Sequence, residues 1–169
     1  MDWICKKHEQ FQNDEQEAKM DDPHLTTAQR ADLLITRLWL VTLLWRIAMS
    51  RNNSPNTNIT ASPLLSPVGV SRRLRRTLQK LPQQALEIHG VGIVQKLFEL
   101  TDTMADVVLF FKHLGSGTLD KQVDDLNYLE NIVTASDRLD ETRKGILRDK
   151  FQRVRDQMSQ VYDRSLEAA

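Results

Sequence analysis

Residues 85–109, ALEIHGVGIVQKLFELTDTMADVVL, are the stretch that decides the fold of this chain. Their apolar side chains recur at three- and four-residue steps, which is the period of a helix that buries one face. Proline breaks a helix and glycine commonly follows its end, so Pro82 and Gly115 bound one long predicted helix over residues 83–113. Its predicted core face comprises Ile93, Leu97, Leu100, Met104, Val107 and Val108, with Phe98, Leu109 and Phe111 beside it.

The rest of the chain repeats the same helical spacing. No segment alternates apolar and polar residues in the way a half-buried strand does. We therefore predict an all-α fold, an irregular helical bundle of about six helices. The predicted domains are a polar N-terminal helix over residues 1–22 and a single helical domain over residues 23–169, in which residues 52–67 form one long Asn/Ser/Pro-rich loop.

The helix predicted over residues 27–51, capped by Thr26 or Thr27, is apolar almost all round. A helix of this kind is buried on most sides, either by the rest of its chain or by a partner. Its main apolar face is predicted to comprise Leu33, Leu34, Leu38, Val41, Leu44, Trp45, Ala48 and Met49, with Ile35, Leu40, Leu43 and Ile47 on its other sides.

Three further helices are predicted. One begins after Ser71, which serves as its cap, and ends at Leu81. The next covers residues 119–135, and the last begins near Ser136 or Asp137. Their predicted inward stripes comprise Val70, Leu74, Leu78 and Leu81 in the first, Leu119, Val123, Leu126, Leu129, Ile132 and Val133 in the second, and Leu139, Ile146, Leu147, Phe151, Val154, Met158 and Tyr162 in the last.

Charge and cysteine content narrow the function classes. The 23 basic residues balance 23 acidic ones, which argues against a broad grip on the phosphate backbone and hence against direct DNA binding. The single cysteine, Cys5, forms no internal disulfide and rules out a cysteine-rich zinc site. Arg37 and Arg46 interrupt the most apolar window, and the N-terminus shows no secretory signal, so we expect no membrane association.

No motif in the sequence indicates catalysis. The four histidines do not pair at i,i+4, and Gly90 and Gly92 lack the third glycine of a dinucleotide-binding motif. Glu99, Asp102 and Asp106 share a helical face, but no Glu-x-x-His segment accompanies them, so this face is predicted to be solvated. We therefore predict no catalytic residue, no cofactor and no metal ligand.

One basic cluster is the main candidate site in the sequence. Arginines occupy four of the five positions from 72 to 76. Such a cluster either contacts phosphates or serves in nuclear import, and it is equally typical of a solvated helix face. These interpretations are compatible with one another. The candidate residues are Arg72, Arg73, Arg75 and Arg76.

Several blocks resemble a segment late in the regulatory region of fungal binuclear zinc-cluster transcription factors. They are the leucine- and tryptophan-rich residues 31–50, EIHG at 87–90, KLFEL at 96–100, AD at 105–106 and LRDK at 147–150. The resemblance covers residues 28–150 as a pattern. This chain lacks the six cysteines and the basic segment that bind DNA in that family. No DNA-binding residue of the family is therefore carried over to this chain.

The resemblance implies a non-enzymatic, transcription-regulator-like helical protein that acts through contacts with a protein partner or as a homo-oligomer. It also implies a place in the nucleus or cytoplasm and a role in regulating a fungal secondary-metabolite gene cluster. The alternative is a small helical enzyme or ligand-binding protein with a pocket near His89 and Trp39 or Trp45, because bundles build pockets between helices. A carboxylate and a cavity beside His89 would favour that alternative.

Overall fold

The computed structural model describes residues 24–51, 67–81, 90–110 and 116–167. Within these residues the chain forms five α-helices and no strand, which confirms the predicted all-α class. The predicted helix over residues 1–22 and all of the predicted loop except Pro67 lie outside the described residues. The helices are α1 (Thr27–Arg51), α2 (Pro67–Gln79), α3 (Val91–Phe110), α4 (Ser116–Thr134) and α5 (Glu141–Glu167).

The start of α1 is fixed by a capping box. The Gln29 backbone N–H donates to Thr26 Oγ1 at 3.2 Å, and the Thr26 N–H donates to Gln29 Oε1 at 2.9 Å. The two residues thereby satisfy backbone donors that the first turn of a helix leaves without an intrahelical partner. Thr26 is thus the cap, and both predicted bounds of this helix are confirmed.

The starts of α2 and α3 differ from the prediction. Helix α2 begins at Pro67, and Ser71, the predicted cap, is a buried residue one turn inside it. Proline suits the first position of a helix because its missing N–H would have no intrahelical acceptor there. Helix α3 begins after Gly90, whose φ of +73° interrupts the single helix predicted over residues 83–113. A left-handed residue ends right-handed helical geometry, and glycine adopts it at no steric cost.

The last helix begins later than predicted. Asp140 caps α5, because its Oδ1 accepts a hydrogen bond from the Arg143 N–H at 2.9 Å. Ser136, one of the two predicted start residues, instead accepts from the Arg138 N–H at 3.3 Å within a turn. This turn inserts Leu139 into the core between α4 and α5. Asp137, the other predicted start, lies in the same turn.

Helix α3 is central, because it packs against all four of the other helices. All six residues of its predicted core face are buried, so this prediction is confirmed. Phe98 and Leu109 are half-buried beside that face, as predicted, while Phe111 lies outside the described residues. The other helices and the turn before α5 contribute buried side chains to the same core, namely Ile35, Leu38, Val41, Val70, Leu74, Leu78, Leu126, Leu129, Val133, Leu139, Leu147, Phe151 and Val154.

Helix α1 buries only part of its predicted main face. Leu38 and Val41 are buried as predicted. Ile35, predicted to lie on another side, is fully buried, and Leu33, predicted to lie on the main face, is 47% exposed. A helix that is apolar almost all round does not select its buried face by its own pattern, so its contacts with α2 and α3 decide. On α5, Ile146 is likewise exposed although the stripe placed it inward.

Candidate functional site

The basic cluster lies on α2 and faces away from the core. Arg72, Arg73 and Arg76 are exposed, and Arg75 is half-buried. On the opposite side of the helix, Val70, Leu74 and Leu78 pack inward, as their spacing predicts. The four predicted site residues therefore share one helix, but the structure gives Arg75 a separate role.

Arg75 joins α2 to α4. Its Nη1 lies 2.8 Å from Asp125 Oδ1, and its guanidinium stacks over the Tyr128 ring at 5.1 Å from the centroid. Asp125 is a buried residue, so this ion pair is shielded from solvent on one side. The pair and the cation–π contact hold the Arg75 side chain in position.

Arg72 and Arg76 have no side-chain partner in the part of the chain that the structure describes. With Arg75 they line a depression of about 360 Å³ between α2 and α4, which is open to solvent. Asp124 and Asp125 form its other wall. We call these five residues the arginine pocket. The sequence identified its arginines, but the two aspartates lie 50 residues further along the chain, and no motif connects them to α2.

A second surface lies on α1. Leu33, Leu40 and Ile47 are 47%, 38% and 44% exposed, and they are seven residues apart. Residues at this spacing return to nearly the same side of a helix after two turns. They form an exposed aliphatic stripe, which we call the outer face of α1.

Trp39 and Trp45, the tryptophans of the alternative interpretation, lie half-buried on α1. The Trp39 Nε1–H donates to Glu99 Oε2 at 2.6 Å, and the Gln95 amide donates to Glu99 Oε1 at 2.8 Å. Trp39 thus links α1 to α3. His89 lies outside the described residues, so the alternative stays a prediction.

The acidic face predicted to be solvated takes part in contacts between helices. Lys150 on α5 donates to Asp102, and its Nζ lies 2.8 Å from Asp106 Oδ1. Burial lowers the pKa of Lys150, but hydrogen bonds and the charges of Asp102 and Asp106 outweigh it, so the net pKa is raised. Glu99 is held by Trp39 and Gln95. The predicted solvated face therefore holds for Asp106, which is exposed, but not for Glu99 and Asp102, because Trp39 of α1 and Lys150 of α5 contact them.

The described residues contain neither a candidate metal site nor a membrane-spanning helix. No three His, Cys, Asp or Glu residues among them are grouped in a way that would hold a metal ion. None of the described helices is long and apolar enough to cross a membrane. Cys5, the single cysteine, lies outside this part of the chain.

Three curated fungal proteins are similar to parts of this chain. A probable sucrose utilization protein of Candida albicans is 21% identical over 133 residues, which cover 79% of this chain and 25% of that protein. A respiratory transcription factor of Saccharomyces cerevisiae is 29% identical, covering 46% and 17%. A maltose fermentation regulatory protein of Saccharomyces cerevisiae is 31% identical, covering 48% and 18%.

The chain thus spans a quarter or less of the length of these relatives. No protein-family profile matches it, and no solved structure matches it. The similarities confirm the resemblance in its coarse form, because the relatives include a fungal transcription factor and a fungal regulatory protein. The chain is similar to a segment of fungal transcription regulators.

Proposed function

We propose that this chain is a non-enzymatic helical module of a fungal transcription regulator, which acts in the nucleus through contacts with a protein partner or a second copy. The similarity to partial segments of fungal regulators supports the regulatory part of the proposal. The outer face of α1 is the observation that carries the protein-contact part.

An isolated soluble helix bundle normally turns polar residues outward. The outer face of α1 instead presents Leu33, Leu40 and Ile47 on one side, over four helical turns. An exposed aliphatic stripe of this kind supports a contact site, since burying it removes apolar area from water. The flanking residues Leu43 and Leu44 are half-buried and extend the same surface.

The proposal is tested by tethering the chain to a heterologous DNA-binding domain and measuring a reporter gene in a fungal cell. The tethered parent should change reporter output. The double variant Leu40→Lys/Ile47→Lys should lose this effect, because two ammonium groups prevent apolar burial. The control is Val91→Lys/Ile146→Lys, which charges two exposed apolar residues elsewhere and should keep the effect.

Circular dichroism of both purified variants checks that their helical content equals that of the parent. A parent fusion that leaves the reporter unchanged would refute the regulatory proposal. A reporter effect that survives in the folded α1 variant would refute the role of its outer face while leaving the regulatory proposal intact.

The regulated gene set is the finer part of the proposal. The resemblance predicts a secondary-metabolite cluster, whereas the names of two relatives concern sucrose utilization and maltose fermentation, and that of the third concerns respiration. These names favour genes of carbon-source use. Transcript profiles of the native host with and without the gene, grown on glucose or on a disaccharide, distinguish the two gene sets.

A further inference from the structure

We propose that Arg72 and Arg76 bind a single phosphoryl group, carried by a phosphorylated serine or threonine of a partner protein. This inference rests on the proposed function, since it names the chemistry of the partner. It concerns the arginine pocket and is independent of the outer face of α1.

The first argument is the pairing of charges in the arginine pocket. Arg75 and Asp125 form an ion pair at 2.8 Å and thereby neutralise each other. Arg72 and Arg76 have no side-chain partner among the described residues, and together they exceed the remaining charge of Asp124. The described part of the pocket therefore has a net positive charge that an anion can match.

The second argument is geometric. Residues four apart on a helix have Cβ atoms about 6 Å apart, so Arg72 and Arg76 project from the same side of α2 toward one depression. Each guanidinium offers a planar fork of donors that matches phosphate oxygens. Two forks suit the three terminal oxygens of one phosphoryl group, which carries about 1.5 to 2 negative charges at pH 7.

The third argument is that the supporting helix is held in place. Leu74 and Leu78 are buried on the inner side of α2, and Arg75 ties the helix to Asp125 and Tyr128 on α4. The backbone that carries Arg72 and Arg76 is thus fixed before a ligand arrives. Fixed donors lose less entropy on binding than donors on a mobile segment.

The fourth argument separates one phosphoryl group from nucleic acid. Duplex DNA carries about one negative charge per 1.7 Å, so a protein that grips it needs a run of cations. Within the described residues, Arg72 and Arg76 have no side-chain partner, and the carboxylate of Asp124 lies on the opposite wall of the arginine pocket. That carboxylate repels phosphate groups, which disfavours an extended phosphate backbone more than a single phosphoryl group held at the two arginines.

The test uses the purified full chain and a short Gly/Ser-rich peptide with one phosphoserine, titrated by calorimetry and by NMR of the arginine side-chain N–H signals. The peptide without phosphate, inorganic phosphate and a DNA duplex are the comparison probes. We expect binding of the phosphopeptide, and binding at least about tenfold weaker for each comparison probe.

The matched variants are Arg72→Gln/Arg76→Gln and Arg73→Gln. Arg73 is an exposed arginine of the same helix that does not line the pocket. The double variant should lose about tenfold or more in affinity, while Arg73→Gln should change it by less than about twofold. Equal losses in both variants would mean nonspecific attraction to the basic helix and would overturn the proposal.

Three other outcomes would overturn it. Inorganic phosphate that binds as tightly as the phosphopeptide would assign the site to a free phosphate, and tighter binding of the duplex would assign it to nucleic acid. Absence of any phosphopeptide binding to the folded parent would remove the site. None of these results alters the reporter assay of the tethered chain, so failure here is distinguishable from failure of the proposed function.

Discussion

Helices α1 and α2 lie side by side and pack on the same core, but their outer sides differ. Helix α1 exposes Leu33, Leu40 and Ile47, whereas α2 exposes Arg72, Arg73 and Arg76. Both helices bury aliphatic residues inward. One core thus supports an apolar and a charged outer side. Contacts to an apolar surface are stabilised by excluding water, and contacts to a charged surface by pairing it with an anion.

The two helices also differ in whether their sequences predict the buried side. In α2, Val70, Leu74 and Leu78 alternate with arginines, so only one side can face the core, and the buried stripe was predicted. In α1, apolar residues occur on every side, and the sequence does not state which side the chain covers. Apolar residues on the two sides of α1 should therefore differ in their contribution to stability.

The largest expected effect separates the two sides of α1. Ile35→Asp places a carboxylate at a fully buried position, which should lower the free energy of unfolding by about 4 kcal/mol or more and unfold most of the protein. Leu40→Asp places the same group on the outer face and should change stability by less than about 0.5 kcal/mol. Urea unfolding followed by circular dichroism measures both, with the half-buried Leu44→Asp expected between them.

Equal destabilisation by Ile35→Asp and Leu40→Asp would mean that both sides of α1 are covered. If a second copy in solution is the covering surface, the midpoint of unfolding should also rise with protein concentration. A concentration-independent midpoint together with unequal effects supports the division into an inner side and an outer face.

The second effect tests the inner side of α2. Leu74 is fully buried, so Leu74→Ala should lower the free energy of unfolding by about 2–5 kcal/mol through lost burial and the cavity that remains. Arg73→Ala, one residue earlier on the exposed side, is the control and should stay within about 0.5 kcal/mol. If Leu74→Ala melts with the parent, α2 does not pack on the core as described.

Much of the fold was predictable, for identifiable reasons. The buried face of α3 and the stripe of α2 follow from strict spacing, and Thr26 caps α1 through a recognisable Thr-x-x-Gln box. Pro67 and Ser71 were assigned wrongly because both residue types are common at helix starts, and the sequence does not state which one begins the helix. Gly90 was placed inside a helix because a positive φ leaves no trace in apolar periodicity.

The candidate site was predictable only in part. The arginines of α2 stand out in the sequence, but Asp124 and Asp125 reach them only through the packing of α4 on α2. Likewise, Trp39 bonds to Glu99 across 60 residues, and Lys150 to Asp102 across 48. Polar pairs of this kind depend on which helices become neighbours, and no local spacing encodes that choice.

The contact between α3 and α5 serves as a reference, because its residues Lys150, Asp102 and Asp106 lie on neither α1 nor α2. Lys150→Met removes the ammonium between Asp102 and Asp106, and should lower the free energy of unfolding by about 1–2 kcal/mol at pH 7. The exposed Arg153→Met is the matched control on the same helix and should have a smaller effect. Urea unfolding measures the free energy of unfolding of the parent and of both variants.

The pH dependence of this contact has a definite sign. The folded pKa of Lys150 is raised above its ordinary value of 10.5, so its contribution is complete below that value and is lost as the pH rises through the folded pKa. The stability difference between the parent and Lys150→Met should therefore be constant from about pH 7 to pH 9 and shrink above about pH 10.5. A difference that grows with rising pH would contradict the ion pairing.

The smallest expected stability effects concern the outer side of α2, and here the structure divides the cluster. Arg75→Gln removes the partner of the buried Asp125 and should lower the free energy of unfolding by about 1–2 kcal/mol. The triple variant Arg72→Gln/Arg73→Gln/Arg76→Gln touches only exposed side chains and should stay within about 0.5 kcal/mol. Thermal melting measures both variants, and Arg75→Gln should have the lower melting temperature. A lower melting temperature for the triple variant would contradict the assignment of Arg75 to the interhelical contact.

Because the triple variant keeps the fold, it also isolates the predicted role of these arginines in nuclear import. At 19.5 kDa the chain is small enough to diffuse through nuclear pores, so import is measured with a bulky fluorescent fusion in a fungal cell. Nuclear accumulation should fall in the triple variant and persist in Arg75→Gln, since Asp125 already neutralises Arg75 in the folded protein. Equal accumulation of the parent and the triple variant would refute the import role. The phosphoryl contact would then remain as the proposed function of the exposed arginines. Helix α2 would differ from α1 in the kind of partner that it binds, and it would have no part in nuclear import.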